Sequence, residues 1–285
     1  MNEIYIRFPG FKQKALTFSY DDGTRQDKRL IDIMLKNGLK GTFNINSGLF
    51  DDSYNGEEKG RMTKEESLNL YLSSGMEIAV HGYKHASLAS VDTSLALNDI
   101  IIDRKELESM FKRVITGMAY ANGSYNDEVV ELLKKAGISY ARTTHSTGKF
   151  DIPTDWLRLN PTCHHNDPKL MEFARDFVEG KEHWYYWART LKMFYVWGHS
   201  YEFDDNDNWA NFENFAEYIG NREDVWYATN GEIYNYLKAC ESLRFSFDGS
   251  LVSNYSSIDI YIDYIDQKRI LPAGKTVCID TGEVL

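Results

Sequence analysis

Cysteine is scarce in this sequence: Cys163, Cys240 and Cys278 are the three present in 285 residues. They are too scattered for a disulfide framework, and an odd number suits a reducing compartment, so the expected location is the cytoplasm. Apolar runs of the roughly 20 residues needed to span a bilayer are missing, and residues 1–10 lack the basic start and apolar core of a secretion signal. Basic charge is also short. With 32 Lys and Arg against 43 Asp and Glu, the formal net charge is -11, which excludes nucleic acid and anionic membrane as main partners, because both select basic surfaces. Neutral or cationic substrates remain, and composition does not separate a monomer from an oligomer. Internal repeats and low-complexity tracts are absent too. Gly274-Lys275-Thr276 is not a phosphate loop, since it lacks the earlier glycine and the following helix.

Apolar residues, by contrast, make up 42% of the chain, enough for one large α/β domain with a buried core or for two small domains, of which one domain with a small appendage is expected. Aromatic residues reach 14% and crowd at Trp184, Tyr185, Tyr186, Trp187, Trp197, Tyr201 and Trp209. Such rings can stack on sugars or pack a core.

The hydrophobic period switches repeatedly between strand and helix. Ala15 to Phe18 reads as a strand that runs into Asp21-Asp22-Gly23, and Asp27 to Asn37 as a helix stopped by Gly38. Gly41 to Asn46 alternates like a strand, and Thr63 with Glu66 has capping-box spacing at the head of a helix to Ser74. Met76 to Val80, Val114 to Tyr120, Ile138 to Thr143, Leu191 to Trp197 and Val225 to Thr229 are further strands. Helices are expected over 93–112, 126–136, 168–178, 209–219 and 231–240, and between Thr144 and Trp187 the pattern is otherwise weak. Strands that alternate with helices imply parallel pairing. After Phe245 short alternating runs separated by turn residues predict β-hairpins.

Polar residues stand just past several of these strands: Asp21 and Asp22, His81, Asn122 and His199. In parallel sheets and barrels, active sites form at that edge from the ends of several strands. The spacing of His81 and His85 puts both imidazoles on one face of a helical turn, where they can share a cation. With one aspartate they make a facial triad that leaves coordination positions free for water and substrate. If a turn separates Asp21 from Asp22, one can hold a metal and the other a proton. Cys163-His164-His165 invites a second metal reading, but adjacent histidines point apart on a strand, and a rim position contacting substrate suits His164 or His165 better.

These residues resemble the polysaccharide deacetylase (NodB-homology, carbohydrate esterase four) family from about Ala15 to Ala239. Phe18-Ser19-Tyr20-Asp21-Asp22-Gly23 is similar to its Thr-Phe-Asp-Asp-Gly motif, in which the first Asp is the general base and the second a metal ligand. His81 and His85 match its His-x-x-x-His, the other two ligands. Trp197-Gly198-His199 resembles its Leu-x-His, whose His is the general acid. The resemblance implies a distorted (β/α) barrel of about seven parallel strands over residues 1–243, followed by a small β-rich extension over 244–285. It also implies a divalent metal: zinc first, with cobalt, nickel, iron or manganese as alternatives.

The sequence departs from that pattern twice. Where the family has Arg-Pro-Pro-x-Gly, this chain has Ala119-Tyr120-Ala121-Asn122-Gly123, so Asp21 needs another cationic partner; Arg142, at the end of the next strand, is the candidate. Asp151-Ile152-Pro153-Thr154-Asp155-Trp156 is one residue longer than the family's Asp-x-x-Asp-Trp, which leaves Asp155 as a candidate support for His199. The backbone near Asn122 is expected to face an oxyanion, and Trp197 to line a pocket for an acetyl methyl. The expected function is removal of acetyl groups from an N- or O-acetylated sugar. A hydrolase of small non-sugar amides and a carbohydrate-binding protein with a degenerate site are the alternatives.

Overall fold

The computed structural model describes residues 4–51, 60–180, 190–265 and 267–285. Trp184 to Trp187, part of the aromatic crowd, lie outside them. The strands of the body are β1 (Ile4–Arg7), β2 (Lys14–Asp21), β3 (Gly41–Ile45), β4 (Glu77–Val80), β5 (Gly117–Ala119), β6 (Tyr140–Arg142), β7 (Cys163–His164), β8 (Lys192–His199) and β9 (Val225–Tyr227). The helices are α1 (Asp27–Lys36), α2 (Lys64–Ser74), α3 (Thr93–Phe111), α4 (Asp127–Lys135), α5 (Leu170–Glu179), α6 (Glu202–Asp205), α7 (Trp209–Ile219) and α8 (Asn230–Glu241).

Seven of the strands run parallel in the order β6-β5-β4-β3-β2-β8-β7, and β9 shares with β3 one edge of β2. The result is a curled, open barrel wrapped by helices. Alternation divides the two central strands between two cores. Leu16, Phe18 and Tyr20 of β2 and Phe194 and Val196 of β8 pack beneath the helices. Ala15, Met193 and Tyr195 join a second apolar cluster inside the curl with Tyr140 and Trp156. Between them the barrel interior is polar and linked by internal hydrogen bonds: Thr17 donates to Asn230 at 2.9 Å, Asn230 to Tyr195 at 2.6 Å, and Asn44 to Ser19 at 2.8 Å.

Local chemistry sets the helix limits. Thr63 and Glu66 close a reciprocal capping box on α2, which ends at left-handed Gly75. Asn126 accepts the Val129 N–H at the head of α4. The strand predicted from Val114 is only three residues long, and β7 is a two-residue strand within the stretch where the pattern is weak.

The chain after α8 forms β10 (Arg244–Phe245), β11 (Leu251–Ser253), β12 (Ile260–Tyr264), β13 (Gln267–Leu271) and β14 (Thr276–Cys278), all antiparallel. β1 pairs with β12 over four residues, so the start of the chain is the outer strand of a C-terminal sheet. No helix among the described residues is long and apolar enough to cross a membrane.

Candidate metal and active site

Register brings the functional residues to one level. Asp21 pairs with Asn44 on one side and His199 on the other, while Ala119 pairs with Arg142 farther along the sheet. Strand β2 ends at Asp21, and Asp22 then takes the left-handed φ of +81°, with Gly23 at +63°. A non-glycine residue held there is strained by about 1–2 kcal/mol, a strain that Asp tolerates better than most. This turn is what lets two adjacent carboxylates part.

His81 follows β4 directly and is buried. Its Nδ1 lies 2.9 Å from the Ala119 carbonyl oxygen, which can only accept, so Nδ1 carries the proton and Nε2 presents its lone pair. That Nε2 is buried without a hydrogen-bond partner and faces Asp21 Oδ2 at 3.7 Å and Asp22 Oδ1 at 3.9 Å. His85 Nε2 lies 3.5 Å from the same Asp22 oxygen. A cation bound tetrahedrally at 2.0–2.1 Å sets its donors about 3.4 Å apart. The three donors therefore fit a divalent cation with small adjustments, and the orphaned lone pair of His81 supplies a reason for one.

The two imidazoles do not converge on a helix, as their spacing predicted. Residues 81–85 form a loop in which Gly82 has φ +83° and His85 +56°. Asp103 and Asp99 of α3 accept the N–H groups of His81 and Lys84 at 3.0 and 2.9 Å, and Asn46 donates to the carbonyls of His81 and Gly82 at 2.8 and 2.6 Å. A Cβ at residue 82 would stand 2.5 Å from an Asp99 oxygen. The loop is bent to shape by its supports.

Asp21 is gripped from both sides. Asn44 donates to Oδ1 at 2.8 Å, and Arg142, fully buried, is hydrogen-bonded to Oδ2. Burial pushes the Asp21 carboxyl up, but the Arg142 guanidinium, aided by His81 and His199, outweighs it and brings the pKa to about 2. Arg142 in turn rests 4.4 Å over the Trp197 ring. Trp197 is thus a buried floor beneath the guanidinium, with the His164 ring edge-on at 4.7 Å.

His199, the last residue of β8, directs Nε2 toward Asp21 Oδ2 at 3.9 Å and Nδ1 toward Glu202 Oε1 at 3.1 Å. Asp155 does not support it: its carboxylate is spent on its own turn, accepting the Leu157 N–H at 3.0 Å and pairing with Arg158 at 2.7 Å. Asn122 is exposed, at φ +56°, and its side chain donates to Ser87 at 3.0 Å. His164 lies within 3.2 Å of Glu202, while His165 is buried between Tyr20 and Phe203 rather than at a rim. Cys163 is buried in the core beneath the helices.

Three site residues escaped the sequence reading. Asn44 could have been found from its inward place in an alternating strand. Arg61, whose Nη2 lies 2.9 Å from Asp22 Oδ1 and whose Nη1 donates to Asn46 at 2.9 Å, follows no motif. Glu202 stands three residues after His199, a spacing with no chemical signature outside a helix.

The sequence profile described as polysaccharide deacetylase matches residues 9–141, which hold both aspartates and both metal-side histidines. Residues 9–141 match the polysaccharide deacetylase family. Beyond that stretch, β8 and His199 complete the edge of the sheet that this family segment begins. No curated protein matches the chain in sequence. Among solved structures, an allantoinase superposes with a TM-score of 0.58 at 14% identity, over 80% of this chain and 91% of its own. A Mycobacterium smegmatis protein described as a polysaccharide deacetylase superposes with a TM-score of 0.56 at 16% identity, over 85% and 96%. A Streptococcus pyogenes deacetylase with bound acetate reaches a TM-score of 0.45 at 20% identity, and the chain spans 61% of that protein with 50% of its own length. These likenesses are of fold.

Proposed function

We propose that this protein is a metal-dependent deacetylase that hydrolyses an N- or O-acetyl group on a carbohydrate. The observation that carries the reading is that the Asp22–His81–His85 donors and two proton-handling groups, Asp21 and His199, meet at one edge of a polysaccharide deacetylase segment.

The cation, zinc by preference, would be held by Asp22, His81 and His85. Bound there it would bring the pKa of a water toward about 7 and draw charge from the acyl oxygen. Asp21, ionised and fixed by Arg142 and Asn44, accepts the proton of the attacking water. The Asn122 turn, tied to the His85 loop through Ser87, is the candidate for a backbone N–H contact to the oxyanion. His199 delivers a proton from Nε2 to the departing nitrogen or oxygen, a step an amide needs because its nitrogen leaves poorly without one.

The test is acetate release from a panel of acetylated mono- and oligosaccharides, with small N-acyl amides alongside, after loading with zinc or cobalt. Asp21→Asn is expected to keep the metal and lose on the order of 10²–10⁴ in rate. Metal binding without release from any acetylated sugar would sink the proposal, and turnover confined to the small amides would redirect it to that substrate class. Full activity in Asp21→Asn would remove Asp21 as base.

A further inference from the structure

Behind His199 lies a cluster that no motif announces. Glu202, at the head of the short helix α6, accepts the His199 Nδ1–H through Oε1 at 3.1 Å. Its Oε2 lies 3.2 Å from His164 Nε2 and 3.3 Å from Asn166 Nδ2, which donates to it. His165 Nε2 comes within 2.9 Å of the same oxygen but off the line of a hydrogen bond.

Tautomers decide what this cluster is. The Asn166 backbone N–H donates to His164 Nδ1 at 3.1 Å, so the neutral ring carries its proton on Nε2 and donates to Glu202. The lone pair that a cation at His164, His165 and Glu202 would need is therefore used elsewhere, and the carboxylate is filled by N–H donors. Burial would raise the Glu202 carboxyl, yet the imidazoles of His164, His165 and His199 gathered beside it hold it far below the ordinary carboxylate range. An ionised carboxylate only accepts, which leaves the proton of neutral His199 on Nδ1 and turns Nε2 toward Asp21.

We propose that Glu202, braced by His164 and Asn166, is the positioning residue of His199, fixing its ring and its tautomer so that the imidazolium delivers a proton from Nε2. This rests on the deacetylase reading above. As the C–N or C–O bond breaks, the Nε2 proton passes to the leaving atom, and His199 is left neutral with its Nδ1–H still on Glu202. The charged groups facing His199 are Glu202 from α6 and Asp21 from β2, with the field of Asp22 beyond. His164 from β7 stands at 6.4 Å between ring centres and Tyr201 at 5.2 Å. Burial alone would lower the His199 pKa, but the Glu202 bond and the Asp21 charge outweigh it and raise it. Gly198 serves the same cluster: a Cβ there would stand 2.2 Å from His165 Nδ1, forcing apart β8 and the ring packed beside Glu202.

The experiment is nitrogen-15 NMR of histidine-labelled protein across pH, with His199 assigned through His199→Gln, alongside the pH profile of acetate release. In the unsubstituted protein neutral His199 is expected as the Nδ1–H tautomer. Glu202→Gln is expected to lower the His199 pKa by on the order of one pH unit and to move the alkaline limb of activity down with it; Asp155→Asn should change neither. An Nε2–H tautomer in the unsubstituted protein, a measurement that needs no variant to fold, would overturn the proposal. So would an unchanged His199 titration in Glu202→Gln. If His199 responds as expected while no acetylated substrate is turned over, the positioning role stands and the deacetylase reading fails. If Glu202→Gln releases acetate with an unshifted profile, the reverse holds.

Discussion

Arg142 and Asp21 form a buried pair in which each charge depends on the other, since both side chains are almost wholly removed from water. Removing one partner of such a pair destabilises a protein by about 3–5 kcal/mol, because the remaining charge is left unsolvated. The Asp21 carboxyl is depressed to about 2 from its ordinary 3.8, so the pair's contribution is present above pH 4 and is lost as pH falls through about 2. Arg142→Met is expected to lower unfolding free energy by about 3–5 kcal/mol at pH 7 in urea titrations. It should also move the acidic limb of activity upward, since Asp21 would then keep its proton to higher pH. A variant as stable as the unsubstituted protein, with an unmoved limb, would show that Arg142 does not hold Asp21. Arg142 was legible as a candidate because it ends the neighbouring strand. Trp197 beneath it reads in the sequence as the wall of an acetyl pocket: that its face instead supports a guanidinium depends on β6 and β8 curling toward each other across the barrel interior.

At the scale of an element, helix α1 begins with a fully buried carboxyl group. Asp27 accepts the Tyr71 hydroxyl at 2.5 Å from α2, and burial, helped by the charges of Asp22 and Asp21, raises its pKa to about 7 against the bonds from Ser200 and Tyr71. A helix N-terminus favours an anion by about 0.3–1 kcal/mol, which is too little to offset full desolvation. Below about pH 4 the group is protonated folded or unfolded. Between about 4 and 7 only the unfolded chain releases the proton, so this group's stabilising contribution is lost as pH rises through that window, at about 1.4 kcal/mol per pH unit. Asp27→Asn is expected to be the more stable protein at pH 8 and to lose that slope, measured by denaturant unfolding at pH 4.5 and 8; an identical slope in both proteins would contradict the assignment. Elements of this kind were readable from sequence where a local signal exists, as with the Thr63–Glu66 box of α2. The His81–His85 loop was not, because its supports, Asp99 and Asp103, come from a helix that begins eight residues later.

For the whole molecule, the donors of Asp22, His81 and His85 come from two strands that β3 separates in the sheet, so a cation held by all three would tie the folded state together and be released on unfolding. At a free concentration one hundred times its dissociation constant, zinc or cobalt is expected to add about 2.7 kcal/mol, roughly 5–10 °C in melting temperature for a chain of this size. A chelator should reverse the shift and Asp22→Ala abolish it. An unchanged melting temperature with added metal would count against the site. The sequence by itself determined the alternation of strands and helices and the turn after Asp21, because periodicity and short motifs are local and need no knowledge of the fold; Asp22 as the partner of His81 and His85 came from the family resemblance rather than from spacing. Only the tertiary structure decided that Glu202 rather than Asp155 meets His199, that Arg142 meets Asp21, and that β1 lies beside β12. Those contacts join residues whose meeting is set by strand order, register and loop path, and a linear pattern carries no term for any of the three.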